Sequence, residues 1–77
     1  MPRIAPVDWK TLERVFLRAG FRFARQEGSH RMYVREGIRR AVVIPTYREI
    51  PVFIIQNNLR TAGMSHQDYF RVLAECK

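Results

Sequence analysis

The 77-residue sequence has few of the residues that give small proteins disulfides, metal sites or membrane anchors. Its single cysteine, Cys76, excludes an intramolecular disulfide and favours a reducing, cytoplasmic setting. Its two histidines, His30 and His66, are far apart and have no cysteine companions, so we expect neither a metal nor a cofactor. Apolar runs are also short of the ~20 residues that cross a bilayer, and residues 1–6 lack a signal-peptide stretch, so we expect no membrane partner.

Negative charge is scarce in the middle of the chain. The formal net charge is +7, and the whole excess falls between residues 14 and 48, where nine arginines are opposed only by Glu27 and Glu36. Because guanidinium groups match the geometry of phosphate oxygens, this stretch predicts an anionic partner. Surface charge that serves solubility alone is the alternative interpretation.

Helical periodicity predicts three helices within a single domain over residues 1–77. The first follows a good N-cap, Asp8, and ends before Gly20. Pro51 suits the first turn of the second helix, which we expect to end at Gly63, and Ser65 resembles the cap of a third. On the polar side of the first helix, the spacing aligns three cations, Lys10, Arg14 and Arg18.

Between the first two helices, period-two alternation predicts three antiparallel strands and therefore an α+β fold with helices on one face of the sheet. A three-residue loop at 36–38 places Met32 opposite Val42, so that His30, Met32 and Val34 share the covered face. Arginines interleaved with an aromatic ring on the open face favour nucleic acid, although a merely solvated strand face is the alternative. The residues expected there are Arg31, Tyr33, Arg35 and Arg39.

The Gly28-Ser29-His30 turn is the candidate catalytic site. A positioned histidine can deprotonate the 2′-hydroxyl of RNA, and flanking cations such as Arg25 and Arg31 can stabilise the charge that accumulates on the attacked phosphate. A histidine that opens a strand after a glycine turn is also often structural, so the triplet alone does not decide between the two interpretations.

The context of that triplet resembles a known family. In order, the chain contains LRAGF, RQEGSHRMYVR, RRAVVIP and IPVFIIQNNLRTAGMS, and this combination resembles the HicA family of mRNA interferase toxins from about residue 9 to 70. The resemblance implies a double-stranded-RNA-binding-like fold, ribosome-independent endoribonuclease activity on mRNA, and inhibition by a HicB-type antitoxin, which we expect to be acidic. The family's catalytic histidine matches His30, with Gly28 and Ser29 as its motif neighbours.

One departure from the family concerns Tyr47, which stands where many relatives carry a second histidine after the proline that ends the third strand. Two alternatives follow: Tyr47 replaces that histidine as an auxiliary residue, or the activity is weak. We expect His66 to be structural. The residues expected to bind RNA are Lys10, Arg14, Arg18, Arg25, Arg31, Tyr33, Arg35 and Arg39.

The leading hypothesis is a metal-independent endoribonuclease toxin in the cytoplasm, with His30 as the general base. One alternative is a non-catalytic RNA-binding module that uses the same arginine-rich sheet face. Another is a basic adaptor whose arginines dock on an acidic protein.

Overall fold

The computed structural model describes residues 3–76, so residues 1, 2 and 77 of the predicted domain lie outside the described part. The element order is helix, three strands, helix, helix, as predicted. The elements are α1 (Trp9–Arg18), β1 (Arg22–Glu27), β2 (His30–Val34), β3 (Val42–Pro45), α2 (Val52–Ala62) and α3 (His66–Glu75). None of the helices in this part of the chain is long and apolar enough to cross a bilayer.

The helix ends follow the capping residues. The side chain of Asp8 accepts a hydrogen bond from the Lys10 backbone N–H at 2.8 Å, and Ser65 Oγ accepts one from Asp68 N–H at 3.0 Å. At the end of α2, Gly63 adopts a left-handed conformation with a φ of 67°. These three caps confirm the predictions, whereas Pro51 is the residue before α2 rather than its first turn.

The sheet has the order β1-β2-β3 with both pairs antiparallel, but its register differs from the predicted one. Met32 lies opposite Val43, and Tyr33 lies opposite Val42. The reason is that residues 35–41 form a connection longer than the three-residue loop assumed, so β3 begins only at Val42. A shift of one residue moves every side chain of a strand to the other face.

On β2 the covered face is therefore the opposite of the one predicted, whereas on β3 Val42 lies on the covered side as expected. Tyr33, Val42 and Ile44 are fully buried between the sheet and the helices, while Met32 and Val34 on the other face are half-buried. The placement of Tyr33 on the open face was wrong, and that of His30 on the covered face was wrong as well. The helices still lie on one face, and their contribution to the core includes Leu12, Val15, Phe16, Ile55, Leu59, Tyr69 and Val72.

Candidate active site

The candidate site is built on the two-residue connection between β1 and β2. Glu27 and His30 are the last paired residues of the hairpin, and Gly28 and Ser29 join them. Gly28 has a φ of 60° and Ser29 a negative φ, which are the φ signs of a type II′ turn with glycine in its first central position. The turn therefore presents His30 as the first residue of β2, at one end of the sheet.

The His30 side chain is exposed. Its neighbours across the two ladders are Glu27 on β1 and Pro45 on β3. Because successive side chains alternate, His30 projects on the face opposite to Arg31 and away from the helices. Within residues 3–76 the imidazole makes no side-chain hydrogen bond or ion pair, so both ring nitrogens are available to a ligand.

Arg25 is the sequence-predicted cation that shares a face with His30. It lies opposite Met32 in the register, diagonally next to His30, and its Nε donates to Glu27 Oε2 at 2.7 Å. Both members of this ion pair are more than half exposed. Such exposed pairs contribute little to stability, so the guanidinium can exchange the carboxylate for a phosphate at small cost.

Arg31, in contrast, lies on the helix side of the sheet and is half-buried. Its guanidinium donates to the Tyr33 hydroxyl at 3.0 Å, to Gln26 Oε1 at 2.8 Å and to Glu13 Oε2 at 3.1 Å. Its Cζ also lies 4.2 Å from the centroid of the Phe23 ring. Arg31 and Tyr33 therefore connect α1 to the sheet, and neither joins the histidine on the open face.

The Arg31 guanidinium also supports the turn, from the helix side of the sheet. Gln26, which accepts one of the Arg31 hydrogen bonds, donates its own Nε2 to the Gly28 carbonyl at 2.9 Å. A continuous series of contacts thus runs from Glu13 on α1 through Arg31 and Gln26 to the turn that carries His30. Periodicity did not reveal Glu13 or Gln26 as site residues, because the contact between Glu13 and Arg31 joins positions 18 residues apart.

Tyr33 is the strongly perturbed titratable group of this cluster. Burial, reinforced by the hydrogen bond to the Glu13 carboxylate, raises the pKa of Tyr33 to about 12. The Tyr33 hydroxyl in turn is the main cause of a raised pKa at Arg31. The Tyr33 phenol is therefore neutral at neutral pH, so that its hydroxyl can donate to Glu13 while it accepts from Arg31.

The other predicted cations lie elsewhere on the surface. Arg35 follows the far end of β2, about 16 Å along the strand from His30 at the usual rise per residue. There it lines a cavity of about 230 Å³ together with Arg18 and Arg71. Arg39 is exposed in the connection between β2 and β3. The structure therefore does not bring Arg35 to the histidine.

The cation row predicted on α1 is only partly free. Lys10 and Arg14 are exposed and make no ion pair within the described residues. Arg18 Nε instead donates to Glu75 Oε1 on α3 at 2.9 Å, and this hydrogen bond lowers the pKa of the Glu75 carboxyl. Of the three cations in this row, Lys10 and Arg14 remain available to an anion.

Tyr47 lies in the loop after β3, beside the turn that carries His30. The preceding residue, Thr46, donates its backbone N–H to the Ser29 carbonyl at 2.8 Å, and the Tyr47 carbonyl accepts from Trp9 N–H at 3.1 Å. The Tyr47 side chain is 45% exposed.

The second histidine of the chain lies outside the candidate site. His66 is the exposed first residue of α3. Within residues 3–76, no three histidine, cysteine or acidic side chains are grouped closely enough to hold a metal ion.

Fold and site together define a small, basic α+β protein with an exposed histidine on a glycine turn and a cation beside it. The family model described as "HicA toxin of bacterial toxin-antitoxin" matches residues 9–64, which is more than half of the chain. The chain therefore belongs to the HicA toxin family, which confirms the resemblance and implies an antitoxin as a partner. Among curated proteins, none matches the chain significantly.

Proposed function

We propose that this HicA-family toxin is an endoribonuclease that cleaves mRNA in the cytoplasm, with His30 as its general base. The observation that carries the proposal is the placement of His30, an exposed imidazole at the end of the open sheet face with Arg25 diagonally beside it. A base and an adjacent cation on one surface are what cleavage of an RNA strand requires.

In the proposed reaction, His30 takes the proton of a 2′-hydroxyl as its oxygen forms a bond to the adjacent phosphorus. The bond from phosphorus to the 5′-oxygen breaks, and the leaving oxygen takes a proton from solvent. Arg25 neutralises the charge that develops on the phosphate oxygens, for which it must exchange the Glu27 carboxylate for the substrate. Gly28 and Ser29 act by placing the histidine, and no metal is needed for these steps.

The RNA strand on either side of the scissile phosphate needs further cations. Lys10 and Arg14 on α1 are exposed and unpaired within the described residues, and α1 begins beside the loop that contacts the Ser29 carbonyl. We assign these two residues to backbone phosphates. Arg31 and Tyr33 are assigned to support of the turn, because their side chains are engaged with α1 and, through Arg31, with Gln26.

We further propose that the inhibitor is an acidic antitoxin of the HicB type. The net charge of +7, to which the exposed Arg25 beside His30 contributes, would attract such a partner and accelerate its association. By covering His30 and Arg25, the antitoxin would deny RNA both the base and the cation.

The test is cleavage of a single-stranded RNA in EDTA by the wild type and by His30→Gln. We expect cleavage by the wild type and a loss of at least about 100-fold in the variant, because removal of a general base typically costs that much. His66→Gln is the matched control, since it removes the other exposed histidine. Circular dichroism of both variants establishes that the fold is retained.

Equal cleavage by His30→Gln and the wild type would refute the catalytic assignment. Binding of RNA without any product, unchanged by the substitution, would instead support the non-catalytic RNA-binding module.

A further inference from the structure

Tyr47 differs from the other two tyrosines of the chain in its exposure. Tyr33 and Tyr69 are 0% and 1% exposed, whereas Tyr47 is 45% exposed. Its hydroxyl makes no side-chain hydrogen bond within residues 3–76, so nothing in this part of the chain orients it as a proton donor. What Tyr47 offers to a ligand is the face of its ring.

The backbone beneath this ring is fixed on both sides. Thr46 donates to the Ser29 carbonyl twice, through its N–H at 2.8 Å and through Oγ1 at 3.2 Å. On the other side, the Tyr47 carbonyl accepts the 3.1 Å hydrogen bond from Trp9 N–H at the start of α1. An aromatic side chain on a fixed backbone loses little conformational entropy when a ligand binds, which makes it a good binding platform.

The position of the ring relative to His30 follows from the register. Pro45 is the partner of His30 on β3, and the hydrogen bond from Thr46 to Ser29 continues this ladder by one residue. Tyr47 comes two residues after Pro45, so its Cα lies within about 12 Å of the His30 Cα at the maximum reach of the chain. A separation of this size is short enough for a base beside a phosphate at His30 to span.

The surroundings of the ring suit an unpaired nucleotide. Lys10 and Arg48 are exposed cations next to Trp9 and Tyr47 in the chain, and neither makes an ion pair within the described residues. Gly28 has no side chain, and a Cβ built on it meets no atom within 4 Å, so the space over the turn is open. Cations that attract the backbone and a ring on which a base stacks are the two components of single-stranded nucleic acid binding.

We propose that Tyr47 is the platform on which an unpaired base next to the scissile phosphate stacks. This inference rests on the proposed function for the presence of RNA, but it assigns Tyr47 a role in specificity rather than in acid catalysis. A base within a duplex is already stacked on its neighbours and cannot offer its face to the ring.

The experiment measures affinity in the absence of cleavage. In a His30→Gln background, a short single-stranded RNA is titrated with variants at Tyr47 at constant salt. We expect Tyr47→Ala to weaken binding by about 5- to 100-fold, the range observed when a stacking ring is removed, and Tyr47→Phe to bind as the parent does. Phe53→Ala is the control, because Phe53 is the more exposed aromatic residue and lies on α2.

The proposal would be overturned by binding of Tyr47→Ala within twofold of the parent, or by a loss in Tyr47→Phe as large as that in Tyr47→Ala. The same RNA annealed to its complement should show no difference between Tyr47 variants, and an equal loss on the duplex would also refute it. Because affinity is measured without product formation, absent cleavage by the wild type contradicts the proposed function while leaving this result intact.

Discussion

At the scale of single residues, Arg31 makes contacts that the sequence around it does not indicate. Its guanidinium bonds to Tyr33, Gln26 and Glu13 and lies over the Phe23 ring at 4.2 Å. The side chains of Arg31 and Glu13 are each only 21% exposed, so their ion pair is screened less by water than the ion pairs elsewhere on the surface. Loss of one partner leaves the other charge or hydroxyl poorly solvated.

Tyr33 and Tyr69 form a natural pair for testing this cluster. Tyr33→Phe removes a hydroxyl that bonds to both Arg31 and Glu13, and we expect it to lower the free energy of unfolding by about 1–3 kcal/mol. Tyr69 is equally buried, but its hydroxyl has no hydrogen-bond partner within the described residues, so Tyr69→Phe should change stability by less than about 1 kcal/mol. Urea unfolding of the two variants compares these costs, and equal losses would contradict the importance of the cluster.

The cluster also predicts an alkaline limit to stability. The folded-state pKa of Tyr33 is raised to about 12 from an ordinary value of 10.0, so the folded state favours the protonated phenol. This contribution is complete below pH 10 and is lost as the pH rises towards 12. Unfolding measured across this range should show a steeper decline for the wild type than for Tyr33→Phe. Parallel declines would mean that other groups account for the alkaline loss.

At the scale of secondary-structure elements, the β1–β2 hairpin decides where the histidine lies. Two glycines in loops of the sheet have a positive φ, 60° at Gly28 and 88° at Gly37. At both positions the space that a Cβ would fill is open. Each is therefore unfavourable to replace for backbone reasons alone. Only Gly28 is in the turn that carries His30.

Gly28→Ala and Gly37→Ala consequently form a matched pair. We expect each to lower stability by about 1–2 kcal/mol, because an L side chain is strained in this region of φ. Only Gly28→Ala should also reduce RNA cleavage strongly, since relief of strain in that turn displaces His30. Thermal unfolding and cleavage rates are measured, the latter below the unfolding transition of both variants. Equal cleavage by the two folded variants would show that the turn geometry does not position the histidine.

The elements also show how far the sequence could be interpreted. Asp8, Gly63 and Ser65 act locally, within a few residues of the helix ends they define, and so the order and most ends of the helices were predictable. The register of β2 against β3 depends on the length of the connection over residues 35–41, which alternation alone does not fix, and the assumed three-residue loop gave the wrong register. The two faces of β2 were exchanged as a result, while those of β3 were not.

The candidate site shows the same division. His30 was predictable because the glycine turn and the histidine are adjacent in the chain. The role of Arg31 was not predictable, because its charge is compensated by Glu13 on α1. Alternation within a strand gives no information about a carboxylate that distant in the sequence. Tyr33 has a polar hydroxyl, yet it is buried because Glu13 and Arg31 satisfy that hydroxyl.

At the scale of the whole molecule, the ion pairs divide the cations into occupied and available ones. Within the described residues, Arg18 and Arg31 bond to carboxylates of other elements, Arg71 bonds to carboxylates of its own helix, and Arg25 bonds to Glu27 on its own strand. The cations of the central basic stretch and of α1 that make no such pair are Lys10, Arg14, Arg22, Arg35, Arg39, Arg40 and Arg48. The attraction for a polyanion comes mainly from this second group.

Lys10→Gln and Arg14→Gln test which of these cations contact RNA. Each should weaken binding to all RNA sequences alike and reduce the slope of log affinity against log salt by about 0.7, the value for one phosphate contact on a single strand. Arg60→Gln is the control, because it removes the same charge from an exposed position at the opposite end of α2 from Pro51. Identical slopes for all three variants would mean that α1 contributes only to the net charge.

The series of contacts from Glu13 to the Gly28 carbonyl offers a site, remote from the RNA, at which mutation can inactivate such a toxin. On the proposed function, a lineage that escapes the toxin need not alter His30 or any residue that touches RNA. Replacement of Arg31 removes the contacts of its guanidinium with Glu13 and Gln26 in a single codon change and leaves the Gly28-Ser29-His30 motif intact. Harmless copies of this gene should therefore be sought by their codon 31 as well as by their histidine.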